Sequence, residues 1–547
     1  MKKIIIIGAV AAGTSCAAKA RRNDESASIK IYEKDNFISY SGCGMPYYLG
    51  NEVESIDTLT PRNPSFFKKK YNIDIHIGHE VLSIDSKNKK ITVKDLATSN
   101  IFEDDYDTLV LATGAIVNRP NIVGIDNQKV FFLRNIKDAI NIKNYIENYK
   151  PKNAIIAGTG FIGFELLESL TSLDINVSVV EANNQITPNL DYDMSLYLES
   201  LLAKKDIKII KNTTIKEITN DKVILSNDTD IDNDLVILAT GVKPNTVLAK
   251  SIGLELGLYD SIKVNTSMQT SDKDIYACGD CIETYSSITG LPNYRPLGST
   301  ANKTGRICGD SITKGNLKYQ GNLGTGIFKL FNLSVASTGL SEKEALELGY
   351  SIEICHNIKP NKPDYLGGKE MLIKAIADKE TSRIFGIQII GEEGVDKRID
   401  VFATLITYKA KVDELFHLDL AYAPPFSTTK DPIHYTGMIL DNAINTDRKL
   451  ITTSDLELLN EKVQIIDARS EADYLKKGHL TNAINIPQAK LRDELALDKD
   501  VTTITYCNKG VTGNAAQNIL INKGFKKVYN LSGGQRLNKI LKEGGNK

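Results

Sequence analysis

Cys43 is the first residue of this sequence that could carry out chemistry, and it lies in the run Ser-Gly-Cys-Gly-Met-Pro of residues 41–46. It has no second cysteine two to five positions away, so it cannot form the internal disulfide of a two-cysteine redox enzyme. A single thiolate can instead attack the sulfur of an external molecule and form a mixed disulfide. The alternative is a structural cysteine, because free cysteine is among the most buried residue types. We favour a redox nucleophile because one nucleotide-binding sequence precedes it and another follows it.

The later of these two sequences is a glycine turn, Gly158-x-Gly160-x-x-Gly163, between a predicted strand over residues 153–157 and a predicted helix. In this context the glycines indicate a dinucleotide site, because they allow a tight turn, a close approach to a pyrophosphate and an anion at the helix N-terminus. Glu181, at the end of the next predicted strand, can accept hydrogen bonds from two ribose hydroxyls. A 2′-phosphate would meet this carboxylate, so we predict NADH, with NADPH as the alternative. A βαβ turn without a ligand is the competing interpretation.

A second nucleotide site is predicted at the N-terminus, where Gly8 and Gly13 bound a turn that lacks the middle glycine. The next predicted strand ends at Glu33, where a ribose-binding acid is expected. Far downstream, a predicted strand ends in the pair Gly279-Asp280, which can present a carboxylate to the ribityl chain of a flavin. Two nucleotide sites and one such acid together indicate FAD with a nicotinamide donor.

The composition excludes several classes of function. The 547 residues predict three or four domains of ~150 residues each. The 67 basic and 68 acidic residues nearly cancel, so the overall charge gives no reason to expect a nucleic acid or an anionic membrane as partner. No apolar run reaches the ~20 residues that span a bilayer, and we interpret the apolar N-terminus as a strand, not a secretion signal. The seven cysteines are scattered, and only Cys278 and Cys281 have the CxxC spacing of a metal-binding or redox pair. Because no second such pair accompanies them, we favour the cytoplasm and no metal site.

Cys507 is a second candidate nucleophile, at the start of a loop over residues 507–512 that follows a predicted strand. Backbone N–H groups of such a loop converge on the sulfur and stabilise a thiolate or persulfide. Together with the Ile-Asp-Ala-Arg run of residues 466–469, the region resembles a rhodanese domain, which implies transfer of sulfane sulfur. Many rhodaneses end this loop with arginine where the chain has Thr512, which weakens the case for thiosulfate as donor unless Lys509 compensates. The alternative is an adaptor domain without catalysis.

The whole chain resembles the pyridine nucleotide–disulfide oxidoreductases. Within them it is most similar to the single-cysteine branch whose rhodanese-fused members reduce coenzyme A disulfide or, with NADH, persulfides. Four motifs carry the resemblance, and they are residues 42–47, 239–245, 276–280 and 421–432.

The resemblance implies a mechanism shared between two subunits. In that family the cysteine that matches Cys43 attacks a disulfide beside the flavin. Two tyrosines, which match Tyr422 and Tyr365, reach it from the other subunit and hydrogen-bond the departing thiolate. The resemblance therefore implies a homodimer with shared active sites and small sulfur compounds as substrates. The alternative for Tyr422 is a packing residue of the interface.

The resemblance also assigns binding residues. For the cofactors these are Gly8, Ala12, Gly13, Glu33, Lys34, Val81, Ala112, Thr113, Gly114, Gly158, Gly160, Phe161, Ile162, Gly163, Glu181, Gly241, Gly279, Asp280, Pro296, Ala301 and Phe426. For coenzyme A they are Ser15, Lys19, Arg22, Ser39, Asn302 and Lys430. Lys19 and Arg22 share one face of a predicted helix and could grip phosphates, although such residues are more often solvated. Glycine at position 42, where some relatives carry a polar residue, leaves one substrate contact undetermined.

These expectations give an α/β chain with two Rossmann-like domains for FAD and NAD, an α+β dimerisation domain and a C-terminal α/β rhodanese domain. A polar stretch over residues 445–453 predicts a linker between the last two. The predicted boundaries are 1–118 with 245–324 for the FAD-binding domain, 119–244 for the NAD(P)H-binding domain, 325–445 for the dimerisation domain and 446–547 for the rhodanese domain.

Three functional hypotheses follow. In the leading one, NADH supplies electrons through FAD to the bond between Cys43 and bound sulfur, and Cys507 collects sulfane sulfur and hands it over. We expect the flavin and a helix terminus to lower the pKa of Cys43, because the thiolate is the nucleophile. The second is an NADH oxidase or peroxidase that uses a sulfenic acid on Cys43. The third is a sulfur-delivery module with a flavin redox sensor. The sequence leaves open the physiological acceptor and whether Cys507 passes sulfur directly to Cys43.

Overall fold

The computed structural model describes residues 1–205 and 207–545 of the chain. These residues form two compact units, Met1–Asn184 with Lys208–Gly324, and Gln185–Ile207 with Thr325–Lys547. Residues 546–547, the last of the predicted rhodanese domain, lie outside the described part. Among the described residues, no helix combines the length and the apolar character that a membrane crossing requires.

Most of the strands belong to the first unit. They are β1 (Lys3–Ile7), β2 (Ser28–Glu33), β3 (Asp74–Ile77), β4 (His79–Asp85), β5 (Lys90–Asp95), β6 (Ile101–Asp105), β7 (Thr108–Leu111), β8 (Ala115–Val117), β9 (Val130–Phe131), β10 (Asn153–Ala157), β11 (Asn176–Val180), β12 (Lys208–Ile210), β13 (Ile215–Ile218), β14 (Lys222–Leu225), β15 (Asp230–Asp232), β16 (Leu235–Leu238), β17 (Val242–Pro244), β18 (Ile275–Ala277), β19 (Thr284–Tyr285) and β20 (Pro292–Asn293).

The α-helices are shared between the two units, and α7 and α10 to α16 belong to the second. They are α1 (Ala11–Asn23), α2 (Met45–Leu49), α3 (Ile56–Leu59), α4 (Pro64–Tyr71), α5 (Ile136–Tyr149), α6 (Phe161–Thr171), α7 (Tyr192–Leu202), α8 (Val247–Ser251), α9 (Gly298–Ser311), α10 (Glu342–Glu347), α11 (Val395–Thr407), α12 (Pro432–Asn445), α13 (Thr453–Leu458), α14 (Glu471–Lys476), α15 (Val511–Asn522) and α16 (Gly534–Gly545).

Two parallel sheets form the centre of the first unit, with the strand orders β18-β7-β1-β2-β3 and β12-β11-β10-β16-β9. Their central strands are buried along almost their whole length, as expected for parallel strands covered on both faces. The carboxyl end of β1 leads into α1 and that of β10 into α6, so each glycine turn lies at the edge where open α/β sheets bind ligands. The pair of Rossmann-like sheets was predicted, and the fold class is confirmed. The unit also contains small antiparallel sheets, which are β4-β5-β6, β13-β14-β15, β17-β8 and β19-β20.

The second unit contains one antiparallel and one parallel sheet. Its strands are β21 (Gly326–Leu330), β22 (Leu333–Gly339), β23 (Ile352–Pro360), β24 (Glu370–Asp378), β25 (Ile384–Gly391), β26 (Leu450–Ile451), β27 (Val463–Asp467), β28 (Ala483–Asn485), β29 (Thr502–Tyr506) and β30 (Val528–Leu531). The antiparallel sheet has the order β21-β22-β25-β24-β23 and the parallel sheet the order β26-β30-β29-β27-β28.

The predicted linker over residues 445–453 is wrong in its extent. Helix α12 continues to Asn445, and β26 already pairs in parallel with β30. The free connection is therefore only a few residues long. Polar composition suggested a long loop, but two apolar residues, Leu450 and Ile451, suffice for an edge strand.

Candidate active site

The N-terminal glycine turn and Glu33 form a cradle at the ends of β1 and β2. Gly8 has a φ of +107°, and a Cβ there would lie 2.3 Å from the carbonyl oxygen of Ala112, so only glycine fits. The buried carboxylate of Glu33 accepts hydrogen bonds from the backbone N–H of Ala9 at 2.8 Å and of Asp35 at 2.9 Å. Each oxygen accepts one of these bonds, so the carboxylate keeps lone pairs for ribose hydroxyls. Burial raises the pKa of Glu33, and the two hydrogen bonds oppose that effect.

Asp280 lies at the other end of the predicted flavin site, directly after Gly279. Its carboxylate is 3.1 Å from the guanidinium of Arg134, whose Nε donates to the carbonyl oxygen of Ala115 at 2.9 Å. Arg134 thus links the connection after β7 to the connection after β18, and its guanidinium lies beside the Asp280 carboxylate. Sequence reasoning missed Arg134, because it stands alone in a loop without a motif.

The other predicted FAD residues of the first unit lie around the same two connections. A Cβ on Gly279 would lie 2.7 Å from the Cβ of Ala12, so the Gly-Asp turn packs directly on the start of α1. Thr113, next to Gly114, donates its hydroxyl to the carbonyl oxygen of Asn245 at 2.6 Å. The remaining positions are Gly13 in α1, Lys34 exposed beside Glu33, Val81 buried in β4, Ala112 after β7, Pro296 just before α9 and Ala301 buried within α9. The donor and acceptor groups of this region fit an FAD.

A cavity of about 330 Å³ lies between α1, α4 and α9. Of the predicted coenzyme A residues, Ser15, Arg22 and Asn302 line it, and the Ser15 hydroxyl donates to the side-chain oxygen of Asn302 at 2.7 Å. Lys19 does not line it, because its ammonium forms a salt bridge of 3.0 Å with Asp310. Ser39 lies at 3.5 Å from the guanidinium of Arg62, another lining residue.

The cavity also has a basic and aromatic wall that sequence reasoning missed. Arg62, Arg306, Phe66 and Tyr71 line it. The guanidinium of Arg62 lies 5.7 Å from the ring centre of Phe66, and that of Arg22 lies 5.6 Å from the ring centre of Tyr71. Aromatic rings with cations beside them can stack on a nucleobase and bind phosphates. The signal was present as basic and aromatic residues interleaved over residues 62–71.

Cys43 lies in a short 3₁₀ turn, Gly42–Gly44, that runs into α2. Its thiol is exposed and forms no disulfide. Met45 and Leu49 are buried and anchor α2 below it. A Cβ on Gly42 would meet nothing closer than a Met45 methyl group at 4.0 Å, so the structure leaves room for the polar side chain that some relatives carry.

The protein groups around Cys43 raise its pKa, so the lowering expected from the flavin stays a prediction. Partial desolvation contributes most, the carboxylates of Glu165 and Asp280 add to it, and Arg134 opposes it. Helix α2 has only five residues, so its terminus gives little help. Burial, with Glu168 nearby, raises the pKa of Glu165 itself to about 7. A protonated Glu165 therefore favours the Cys43 thiolate, and an ionised one disfavours it.

The second glycine turn connects β10 to α6. A Cβ on Gly158, whose φ is +105°, would lie 2.5 Å from the carbonyl oxygen of Ala239. A Cβ on Gly160 would meet no heavy atom within 4 Å, so the space beside it is open to a ligand. Phe161, Ile162 and Gly163 form the first turn of α6, and Gly241 lies on the connection that follows Ala239. This open cradle at a helix N-terminus fits the pyrophosphate of a nicotinamide nucleotide.

In the second unit, Cys507 follows β29 and is almost fully buried. Its sulfur accepts a hydrogen bond from the backbone N–H of Gly510 at 3.2 Å. Gly510 has a φ of +100° and precedes α15, so the loop turns back over the sulfur at the helix N-terminus. The buried Arg469 donates to the side-chain oxygen of Asn508 at 3.0 Å and forms a salt bridge of 2.5 Å with Asp467. The buried ion pair of Arg469 and Asp467 therefore anchors the loop through Asn508.

Tyr365, Tyr422, Phe426 and Lys430 all lie in the second unit and are exposed. The last three belong to the segment before α12, which an internal ion pair holds in place. Arg398 and Asp431 are fully buried and 2.7 Å apart. Burial alone would raise the pKa of Asp431, but the hydrogen bonds and charge of Arg398 keep it below the usual value. The segment that carries Tyr422 and Phe426 is thus anchored at its end by a buried ion pair.

The sequence comparisons agree with this geometry. The family profile described as pyridine nucleotide-disulphide oxidoreductase matches residues 2–298, which is more than half of the chain. The chain belongs to this family. The profile of the family's dimerisation domain matches residues 326–432, and that of the rhodanese-like domain matches residues 452–536. The chain is therefore an FAD-dependent oxidoreductase of this family with a fused rhodanese-like domain, and the resemblance found in the sequence is confirmed.

Individual relatives are similar over most or all of their length. The solved structure of the reduced CoADR-RHD from Bacillus anthracis is 37% identical, with a TM-score of 0.96 over 99% of this chain and 98% of that one. The NAD-dependent persulfide reductase from A. fulgidus is 34% identical, with a TM-score of 0.90 over 98% and 99%. An NAD(P)H coenzyme A polysulfide/persulfide reductase of Pyrococcus horikoshii is 34% identical over 80% of this chain and 98% of its own length.

Proposed function

We propose that this chain is an NADH-dependent reductase of coenzyme A disulfide, coenzyme A persulfide or polysulfide. The observation that carries the proposal is the position of Cys43. Its exposed, unpaired thiol is close enough to Asp280, from the flavin side, and to Glu165, from the nicotinamide-binding helix, for both carboxylates to shift its pKa. A thiol between the two cofactor sites is where a foreign sulfur would be captured and released.

In the proposed reaction the Cys43 thiolate attacks one sulfur of the substrate. The sulfur–sulfur bond breaks, one thiolate leaves, and a mixed disulfide forms on Cys43. Bound FAD would supply the two electrons, taken from NADH, that cleave this bond and restore the Cys43 thiolate. Glu165, with its pKa of about 7, can hold a proton near the sulfur at neutral pH.

The cavity between α1, α4 and α9 is the proposed coenzyme A site. Its arginines would bind the phosphates, and Phe66 and Tyr71 would contact the base. Ser15, Arg22, Ser39 and Asn302 keep their proposed role there. Lys19, which is engaged by Asp310, contributes only through the position of α1.

The enzyme is proposed to act as a homodimer, in which Tyr365 of the partner subunit and Tyr422 of the partner subunit hydrogen-bond the departing thiolate. The matching dimerisation domain and the exposed aromatic segment held by Arg398 support this. Phe426 and Lys430, on the same segment, keep their proposed contacts to FAD and coenzyme A. The four predicted domain boundaries remain a proposal, which the separate sheets support.

Cys507 is proposed to carry sulfane sulfur as a persulfide. Its buried sulfur, which accepts the N–H of Gly510 at a helix N-terminus, supports this, because such a loop stabilises a persulfide anion. Reduction at Cys43 would then release the delivered sulfur as sulfide.

Steady-state kinetics with purified enzyme tests the proposal. NADH and NADPH are each offered with coenzyme A disulfide, coenzyme A persulfide, polysulfide, oxygen or peroxide. We expect the sulfur acceptors to be turned over fastest and Cys43→Ser to abolish that turnover. Residual activity of Cys43→Ser with coenzyme A persulfide would overturn the mechanism. Faster turnover of oxygen or peroxide would favour the oxidase hypothesis, for which the exposed Cys43 thiol could form a sulfenic acid.

A further inference from the structure

One carboxylate, that of Glu370, binds two cations beside the Cys507 loop. One oxygen accepts a hydrogen bond from the ammonium of Lys509 and the other from the guanidinium of Arg536. Glu370 begins β24 of the antiparallel sheet, so it comes from outside the rhodanese-like domain. Partial burial opposes its ionisation, but the two cations keep the pKa of Glu370 below its usual value.

Both cations are fixed to the loop that carries the sulfur. Lys509 is the sole cation of the loop over residues 507–512. Arg536 lies in the first turn of α16, and its backbone N–H donates to the carbonyl oxygen of Asn508 at 3.1 Å. The backbone N–H of Gln535 donates to the carbonyl oxygen of Cys507 at 2.8 Å. The start of α16 is therefore hydrogen-bonded to the loop, and the Glu370 carboxylate pairs with one cation from each of them.

A further lysine of the second unit, Lys359, lies near this loop. The ammonium of Lys359 is 3.8 Å from the ring centre of Tyr435. Burial lowers the pKa of Lys359, the charges of Lys509 and Lys430 lower it further, and Cys507 opposes them. Lys359 is thus a third basic side chain near Cys507, whereas the two cations bound to the loop are both paired with the single carboxylate of Glu370.

The charge of a sulfur donor decides how it meets this arrangement. Thiosulfate carries two negative charges, and its oxygens are bonded to the sulfur that is next to the transferred one. Such a dianion needs free cations at the loop, because charge-assisted hydrogen bonds are what hold it. The persulfide of an organic thiol carries at most one negative charge at the sulfur, so backbone N–H groups suffice for it.

We propose that Glu370 is a specificity-determining residue of the Cys507 site. It withholds Lys509 and Arg536 from small sulfur dianions, and so restricts the site to organic persulfides. The proposal rests on the proposed role of Cys507 as a carrier of sulfane sulfur. It also gives the loop, which ends in Thr512, an electrostatic rather than a steric means of discriminating between donors.

The reaction that Glu370 suppresses is a transfer of one sulfur atom. The Cys507 thiolate attacks the outer sulfur of thiosulfate, the sulfur–sulfur bond breaks, and sulfite leaves with the bonding electron pair. Cys507 then carries a persulfide. Cyanide takes the outer sulfur as thiocyanate and restores the thiolate, so no external reductant or oxidant is needed.

The test compares full-length enzyme, Glu370→Gln and the double variant Glu370→Gln/Lys509→Gln, all with FAD and without NADH. Formation of thiocyanate from thiosulfate and cyanide is measured, and labelling of Cys507 by glutathione persulfide is followed by mass spectrometry. Glu393→Gln is the matched control, because Glu393 is an acid just after β25 of the same sheet that pairs with Lys362 at 2.9 Å instead. The Glu370 pairs are partly exposed, so the variants should fold, and their melting temperatures check this.

We expect Glu370→Gln to raise kcat/KM for thiosulfate by about tenfold or more and the double variant to lose most of this gain, while labelling by glutathione persulfide stays unchanged. A Glu370→Gln value equal to that of Glu393→Gln would overturn the proposal, as would a gain that survives in the double variant. Failure of glutathione persulfide to label Cys507 in the wild-type enzyme would instead overturn the carrier role itself. The two failures are therefore distinguishable.

Discussion

Glu181 accepts two hydrogen bonds from Thr159 on one carboxylate oxygen, one from the backbone N–H at 3.0 Å and one from the hydroxyl at 2.5 Å. Its other oxygen accepts two from Asn183, at 2.9 and 2.8 Å. Protein donors thus use all four lone pairs of this buried carboxylate. We infer that Glu181 selects a nicotinamide nucleotide through its negative charge more than through free acceptor positions.

Neutralising Glu181 should therefore relax the preference for NADH. In Glu181→Gln the repulsion of a 2′-phosphate disappears, so we expect the ratio of kcat/KM for NADPH to that for NADH to rise about tenfold. Asp174→Asn, which removes an exposed acid beyond the end of α6, should leave the ratio unchanged. An unaltered ratio in Glu181→Gln would mean that the selectivity lies elsewhere.

The cavity arginines and Lys19 should respond differently to substitution. Arg22→Gln and Arg306→Gln each remove a cation that lines the cavity, so we expect KM for coenzyme A disulfide to rise about tenfold with little change in kcat. Lys19→Met removes the cation that pairs with the buried Asp310, so we expect a lower melting temperature with KM nearly unchanged. A larger KM effect from Lys19→Met than from the arginines would contradict this division.

The sequence predicted the two parallel sheets, which are confirmed, because glycine turns and strand-end acids are local patterns. The two cysteine loops are local patterns too, and the nucleophilic roles of Cys43 and Cys507 stay predictions. It failed where a site is assembled from distant segments. Arg134, 146 residues before Asp280, and Glu370, 139 residues before Lys509, have no local signature. The sequence could not predict that protein groups raise the pKa of Cys43, because Glu165 approaches from a helix more than a hundred residues away, and only the packing of α2 against α6 reveals it.

The charge of Glu165 should control the reactivity of Cys43. Removing it in Glu165→Gln lowers the pKa of the Cys43 thiol, because an ionised carboxylate near the sulfur raises it. Alkylation of Cys43 by iodoacetamide in the FAD-loaded enzyme should then be roughly two- to tenfold faster at pH 8. The gain should shrink below pH 7, where Glu165, with its pKa of about 7, is already protonated.

The control for this measurement is Glu147→Gln, which neutralises an exposed acid on α5. It should leave the pH dependence of alkylation unchanged. Equal curves for Glu165→Gln and the wild-type enzyme would show that Glu165 does not act on the sulfur.

Cys507 and Cys43 should be separable by mutation. Cys507→Ser removes the persulfide carrier but leaves every group of the first unit in place, so NADH-dependent reduction of coenzyme A disulfide should stay within about twofold of wild type. Sulfur transfer from glutathione persulfide to cyanide should fall to background. Loss of both activities in Cys507→Ser, in a variant with wild-type FAD content, would show that Cys507 belongs to the reductase reaction itself.

Lys374 forms salt bridges with three acidic side chains of the second unit. Its fully buried ammonium lies 2.9 Å from Asp193, 3.2 Å from Asp191 and 2.5 Å from Glu342. His356 adds a contact of 2.7 Å to Asp193 and binds the hydroxyl of Ser532 at 3.0 Å. Although burial opposes both charges, their attraction lowers the pKa of Asp193 and raises that of Lys374.

Lys374→Met should therefore destabilise the second unit strongly, by about 3–5 kcal/mol, because it leaves buried carboxylates uncompensated. The lowered pKa of Asp193 gives stability that is present above its unfolded value of about 4 and is lost as the pH falls through the folded value. The raised pKa of Lys374 gives stability that is present below about 10.4 and is lost as the pH rises through the folded value.

The melting-temperature difference from wild type should thus be largest near neutral pH and shrink in acid, with faster hydrogen exchange in β24. Lys369→Met, which removes an exposed partner of Glu392, should change the melting temperature little, and an equal effect of the two variants would refute the assignment.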